Sequence, residues 1–126
     1  MHRLFWICVA GALGTAARYL IGLWTLRRFG HALPYGTLIV NLAGCFLIAF
    51  VMEAAATRSW PETTRLAITV GFLGGFTTYS SFNFETTRLA QAGVLGAASI
   101  YVLVTLAGGL ATGLLGILAA RTFVTQ

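Results

Sequence analysis

Four long apolar runs, separated by short polar breaks, dominate the sequence and predict four membrane-spanning helices. The runs cover residues 4–26, 36–56, 61–91 and 94–120. A helix needs about 20 apolar residues to cross a hydrocarbon core about 30 Å thick. Because the four runs and their short connections fill residues 1–126, we expect one all-α transmembrane domain and no soluble domain.

The third run is longer than a single membrane crossing requires. At a rise of about 1.5 Å per residue, a continuous helix over residues 61–91 would extend well beyond the hydrocarbon core. We expect a break near residues 74–78, and the Gly74-Gly75 pair is its most favourable position. A break frees backbone groups, so it must face protein or an aqueous cavity. An unbroken helix that uses the glycine pair for close packing is the alternative.

The start of the third run carries a capping pattern. Ser59 is followed by Pro61 and Glu62, which resembles an N-cap with an acid three residues later and a proline in the first turn. The pattern predicts that this helix begins directly after Ser59.

Polar side chains inside the apolar runs need partners that lipid does not provide. Asn41 lies in the middle of the second run, and Thr37 lies one turn earlier on the same face. A membrane asparagine either bonds to another helix or meets a passing ligand, and both interpretations stay open. Arg18 lies late in the first run, where no acid is near it in sequence. Glu85 and Arg88, late in the third run, could simply neutralise each other.

The end of the third run carries two neighbouring stripes of functional groups. Thr78, Ser81 and Glu85 share one face at helical spacing, and Tyr79 and Phe82 lie on the adjacent face. Hydroxyl donors and ring edges, which carry partial positive charge, could accompany a small anion without fixing it by a full charge. Ordinary aromatic packing is the alternative.

Composition agrees with a membrane location and argues against nucleic acid as a partner. The chain is 58% hydrophobic and only 9% charged, whereas soluble domains carry about 25% charged residues. All eight basic residues are arginines, scattered singly or in pairs between the apolar runs. This spacing is typical of loop anchors at lipid headgroups, since a nucleic-acid site needs clustered basic residues.

The arginines are divided almost equally between the two sides of the predicted bundle. The side with both termini carries Arg3, Arg58, Arg65 and Arg121, and the other side carries Arg27, Arg28 and Arg88. Such weak positive-inside bias is compatible with insertion in both orientations, and therefore with an antiparallel pair of subunits. Small residues on the first and fourth runs offer faces for that pair or for packing within one subunit: Gly11, Gly14, Gly109, Gly113 and Gly116.

The segments GTLIVNLAG and GGFTTYSSF, with the following Glu85, closely resemble the Fluc (CrcB) family of bacterial fluoride channels. The resemblance includes the early GxxGTAARY segment with Arg18 and covers essentially the whole chain. It implies a passive, fluoride-selective channel, not an enzyme, that exports fluoride across the bacterial inner membrane. It also implies a dual-topology antiparallel homodimer in the lipid, with two pores that are each lined by both subunits.

The resemblance also implies roles for individual residues. A structural sodium ion (Na+) on the dimer axis would be held by the backbone carbonyls of Gly74 and Thr77. The residues implied for the fluoride pore are Asn41, Tyr79, Phe82, Ser81, Thr37, Glu85 and Arg18, with Tyr101 and Thr105 as candidates on the fourth helix. Tyr79 departs from the usual F-x-x-F pair of the family, and Gly109 stands where some relatives carry a serine.

Two other classes of function are considered beside the channel. No catalytic arrangement is visible, since His2 and His31 lie at the amino terminus and in a loop, without a nucleophile beside a base. A small dual-topology drug/proton antiporter also has four short spans, but it uses a carboxylate in the first span, where this chain has Arg18. A non-transporting membrane assembly protein is the third possibility, motivated by the small-residue faces.

Overall fold

Four helical units make up the part of the chain that the computed structural model describes, residues 1–124. The first, second and fourth units are α1 (His2–Phe29), α2 (Tyr35–Arg58) and α6 (Leu95–Val124). The third unit consists of α3 (Glu62–Leu66), a π-helical segment (Ala67–Phe72), α4 (Leu73–Phe76) and α5 (Tyr79–Gln91). The helices α1, α2 and α6 are long and apolar enough to cross a membrane. The predicted all-α membrane architecture with a broken third helix is therefore confirmed.

The third unit leaves the helical conformation at Thr77 and Thr78 rather than at the glycine pair. Thr77 has φ −86° and ψ 157°, and Thr78 has φ −152° and ψ 118°, so both backbones are extended. Gly74 and Gly75 belong to α4 and remain helical. The break lies at the threonines because Thr78 is the N-cap of α5. Its side-chain oxygen accepts a hydrogen bond from the Ser81 N–H.

Gly71 and Gly75 of the third unit serve close packing against α1, whereas a Cβ added at Gly74 would meet nothing within 4 Å. A Cβ added at Gly75 would overlap the carbonyl oxygen of Gly11, and one added at Gly14 would overlap that of Phe72. On the other side of the molecule, an added Cβ at Gly116 would overlap the Phe46 carbonyl in α2. The small-residue faces of α1 and α6 are thus used for contacts within one subunit, which was one of the two interpretations left open by their spacing.

The second helix is the central element of the fold. It contacts α1, α6 and every segment of the third unit. The buried core lies on this helix, where Val40 is fully buried and packs with Leu73 and Phe76 of α4. The middle of α2 is therefore fixed against the residues that immediately precede the break.

Two ion pairs tie together the end of the molecule that carries the amino terminus and the α2–α3 connection. Arg3 bonds to Glu62 at 2.8 Å, and Arg121 bonds to Glu53 at 2.7 Å. Exposed pairs of this kind contribute only about 0–1 kcal/mol each. They therefore confirm which termini and connections share a side without supplying much stability.

The predicted capping role of Ser59 is wrong. Ser59 has φ 50° and ψ 53° and ends α2, with its N–H bonded to the Ala55 carbonyl. The N-cap of α3 is Pro61, which offers no side-chain acceptor, and the helix begins at Glu62. The serine is thus already committed to closing the preceding helix.

We expect Gly14→Ala to destabilise the protein because the added methyl group would meet the Phe72 carbonyl in the α1 packing seam. Overpacking of this kind costs about 1–3 kcal/mol, which a thermal unfolding scan of the purified protein in detergent would record as a lower Tm. Gly22→Ala is the matched control in the same helix, since a Cβ there meets nothing within 4 Å. Equal Tm values for the two variants would contradict the close approach of α1 to the third unit.

Candidate functional site

Asn41 holds the break in the third unit by two hydrogen bonds to a single residue. Its Nδ2 donates to the Thr78 carbonyl oxygen at 3.0 Å, and its Oδ1 accepts from the Thr78 N–H at 2.8 Å. The amide carries a second N–H that neither of these bonds uses. Asn41 therefore bonds to another helical unit, as one interpretation of the sequence expected, and still has a donor left for a ligand.

The break deprives the backbone carbonyls of residues 74–77 of their usual helical partners, and those of Gly74 and Thr77 are among them. In a continuous α-helix the Gly74 carbonyl would accept from the Thr78 N–H, and the Thr77 carbonyl from the Ser81 N–H. Here the Thr78 N–H donates to Asn41, and the Ser81 N–H donates to Oγ1 of Thr78 at 3.2 Å. Gly74 and Thr77 thus offer carbonyl oxygens that no helical N–H occupies.

Contacts from two helices fix the residues that precede the break. Arg18 of α1 donates from Nε to the Gly75 carbonyl at 3.0 Å. Thr77 donates from Oγ1 to the Leu73 carbonyl at 2.9 Å, and its methyl group lies against Gly44 of α2, where an added Cβ would overlap it. The end of α4 is therefore held from both sides.

Glu85 accepts hydrogen bonds from two other helices. Thr37 of α2 donates from Oγ1 to Oε1 at 2.7 Å, and Tyr101 of α6 donates from its hydroxyl to Oε2 at 2.8 Å. Neither ion pair found among residues 1–124 includes Glu85 or Arg88. The expected alternative, a neutralising Glu85–Arg88 pair, is therefore wrong, because the carboxylate turns inward to the hydroxyls.

The two aromatic residues of the predicted stripe have different surroundings. Phe82 is buried, with its ring centroid 5.8 Å from that of Tyr79 and 5.3 Å from that of Tyr101, at interplanar angles of 54° and 56°. Tyr79 is 77% exposed, whereas Phe82 is only 7% exposed. Within one chain, Phe82 is thus held between neighbouring rings, whereas Tyr79 extends away from the bundle.

Most of the predicted site residues line one of three cavities. A cavity of about 650 Å³ is lined by Asn41, Gly74, Thr77, Tyr79, Phe82 and Thr105. A second, of about 340 Å³, is lined by Arg18, Thr37 and Ser81. A third, of about 490 Å³, is lined by Thr37 and Glu85. The aromatic stripe therefore faces the first cavity, whereas Ser81 and Glu85 of the hydroxyl stripe face the second and the third. Thr78 lines both the first and the second cavity.

Two features of the site go beyond the sequence prediction. Thr78 is expected only as a member of the hydroxyl stripe, yet its backbone is the partner of Asn41. The Thr105 hydroxyl is buried and has no hydrogen-bond partner among residues 1–124. Since buried polar groups are nearly always paired, this hydroxyl marks a position where a ligand could bind.

Comparisons with known proteins cover most of the chain. The sequence profile described as CrcB-like protein, Camphor Resistance (CrcB) matches residues 5–117. A protein of Anaeromyxobacter dehalogenans named fluoride-specific ion channel FluC is 48% identical over 122 residues, which is 96% of this chain and 97% of that protein. The protein of the same name from Sorangium cellulosum is 46% identical over 125 residues, 98% of each chain. That from Geobacter metallireducens is 45% identical over 116 residues, 91% of this chain and 94% of its own.

Thr37→Val should destabilise the protein, because it leaves one oxygen of the partly buried Glu85 carboxylate without its donor. We expect a loss of about 1–2 kcal/mol, measured as a lower Tm in detergent. Thr112→Val is the matched control, since the Thr112 hydroxyl bonds only to a carbonyl of its own helix. A Tm that falls equally in both variants would show that the bond to Glu85 contributes nothing specific.

Proposed function

The chain belongs to the CrcB family, and on this premise we propose that it is a passive, fluoride-selective channel that lets fluoride leave the cell. Its long apolar helices make it a multi-pass bacterial membrane protein. Three relatives that span nearly its whole length are named fluoride-specific ion channels. This makes the chain a transporter rather than an enzyme.

One observation carries the proposal: a single cavity is lined by neutral donors that are not fully used and by an aromatic ring. Asn41 has an N–H left over from its bonds to Thr78, and the Thr105 hydroxyl has no partner among the described residues. Phe82 is fixed in the wall of the same cavity. Neutral donors and a ring edge can replace part of the hydration of an anion without binding it too tightly to release.

The hydroxyls around Glu85 have a supporting role in this proposal. Thr37 and Tyr101 both direct their hydrogens to the carboxylate, so neither is free to donate to an ion in this arrangement. A carboxylate with both oxygens occupied is held in one orientation at the edge of the path. We therefore assign Glu85 and Thr37 to the cavity of about 490 Å³ beside the path, with Tyr101 holding the carboxylate. Ser81 and Arg18 line the cavity of about 340 Å³ that adjoins both.

The proposed assembly is an antiparallel homodimer with two pores and a sodium ion on its axis. Gly74 is exposed, and its carbonyl and that of Thr77 have lost their helical donors. Hard cations prefer oxygen ligands, and a two-fold axis would bring two such carbonyls from each subunit together. A bound sodium ion would be coordinated by the negative ends of these carbonyl dipoles. The exposed ring of Tyr79 would then meet the partner rather than lipid.

The arginine distribution supports insertion in both orientations. The end of the molecule with the amino terminus carries four arginines, and the opposite end carries three. The positive-inside rule counts basic residues and gives little weight to acids. A difference of four against three gives almost no preferred direction.

Purified protein in fluoride-loaded liposomes should release fluoride rapidly once a potassium ionophore balances the charge. We expect Phe82→Ile to reduce the initial efflux rate at least about tenfold, because the branched side chain removes the ring edge from the cavity wall. A fluoride electrode measures the rate, and size-exclusion chromatography checks that the protein remains assembled. Absence of fluoride efflux from the well-folded unmodified protein would contradict the proposed function. Unchanged efflux in Phe82→Ile would remove the role of the ring.

Asn41→Asp should lower the efflux rate roughly 100-fold, since a like charge beside the ion path costs several kcal/mol. Asn83→Asp is the matched control, because Asn83 is exposed on α5 and lines none of the three cavities. Efflux at the unmodified rate in Asn41→Asp would mean that Asn41 serves only to hold the break.

A further inference from the structure

The cavity of about 490 Å³ opens at the end of the molecule that carries the α1–α2 connection and the end of α5. Its lining includes Thr37, Glu85, Arg88 and His31. Thr37 also lines the cavity that contains Arg18. The opening therefore adjoins the cavity of about 340 Å³ at Thr37, and that cavity in turn shares Thr78 with the cavity proposed as the ion path.

Two opposite full charges line this cavity without touching each other. Glu85 and Arg88 are three residues apart on α5, a spacing that usually allows an ion pair. The Glu85 oxygens instead accept from Thr37 and Tyr101, and Arg88 takes part in neither of the ion pairs among residues 1–124. Arg88 is exposed, whereas Glu85 is partly buried. The cation thus lies at the opening and the carboxylate lies further inside.

We propose that Arg88 steers fluoride to the mouth of the path, an inference that rests on the proposed channel function. An ionised Glu85 alone would repel an anion that approaches this cavity. The guanidinium of Arg88 offsets that charge on the aqueous side. Charges at a cleft with low-dielectric walls act strongly on the arrival rate of ions. Arg88 therefore sets how fast fluoride reaches the pore, without being a ligand within it.

Arg27 provides a natural comparison at the same end of the molecule. It lies in the last turn of α1 and does not line the cavity, whereas Arg88 does. Removing either arginine changes the net charge of the chain by the same amount. A difference between the two variants thus reports the position of the charge rather than its presence on that surface.

The test measures initial fluoride efflux from liposomes of electrically neutral lipid at two ionic strengths, set with an impermeant salt. The variants are Arg88→Gln, Arg88→Lys and Arg27→Gln. At 10 mM ionic strength, where the Debye length is about 30 Å, we expect Arg88→Gln to be roughly three- to tenfold slower than the unmodified protein. At 1 M, where the Debye length is about 3 Å, the difference should fall below about twofold. Arg88→Lys should stay close to the unmodified rate, and Arg27→Gln should change little at either ionic strength.

Each other outcome rejects the steering role. Equal rates for Arg88→Gln and Arg27→Gln at low ionic strength would assign the effect to general surface charge. A defect in Arg88→Gln that persists at 1 M salt would indicate a structural role. A slow Arg88→Lys would show that the guanidinium shape, and not its charge, is required. All of these outcomes presuppose efflux by the unmodified protein, whose absence would instead reject the channel function itself.

Discussion

The exchange of two hydrogen bonds between Asn41 and the backbone of Thr78 is the interaction on which the rest of the structure depends. The Thr78 N–H donates to Asn41, so it cannot continue the helix by bonding to Gly74. In hydrocarbon, each unsatisfied peptide group costs several kcal/mol. A break at this depth therefore requires a partner from another helix, and one amide side chain supplies both a donor and an acceptor. Because α2 also contributes the fully buried Val40, the amide is held on the central and best-packed helix.

Most polar groups of the site are used to hold the structure, and this limits what remains for an ion. The hydroxyls of Thr37 and Tyr101 bond to Glu85, and Arg18 bonds to the Gly75 carbonyl. The donors left over in the cavity of about 650 Å³ include the second N–H of Asn41 and the hydroxyl of Thr105. A small number of neutral donors on rigid elements suits an anion that must lose water and then leave again. Because the same side chains hold the fold and border the site, a chain of 126 residues can provide both.

The lengths of the apolar runs were sufficient to predict four helical units and the need for a break in the third, because membrane thickness limits the length of any straight apolar helix. The predicted range, residues 74–78, includes the observed break, but the glycine pair was the wrong position within it. The helix ends at Thr77 and Thr78 because Thr78 caps α5 by accepting a hydrogen bond from the Ser81 N–H. Spacing along α5 could not reveal the partners of Glu85, because Thr37 and Tyr101 come from helices that only the folded chain brings near. Spacing along the chain thus identified candidate residues for a site, whereas their bonds depended on tertiary packing.

The carbonyls of Gly74 and Thr77 have a consequence for how such a site changes during evolution. A backbone oxygen is present at every position, so its chemistry places no direct restriction on the side chain. What restricts residue 77 is its neighbourhood, since the methyl group of Thr77 fills the space that Gly44 leaves open and its hydroxyl bonds to Leu73. Substitutions at residue 44 should therefore be accompanied by changes at residue 77. Related sequences with such a carbonyl site should therefore show correlated changes in side-chain size at residues 44 and 77 rather than one invariant ligand residue.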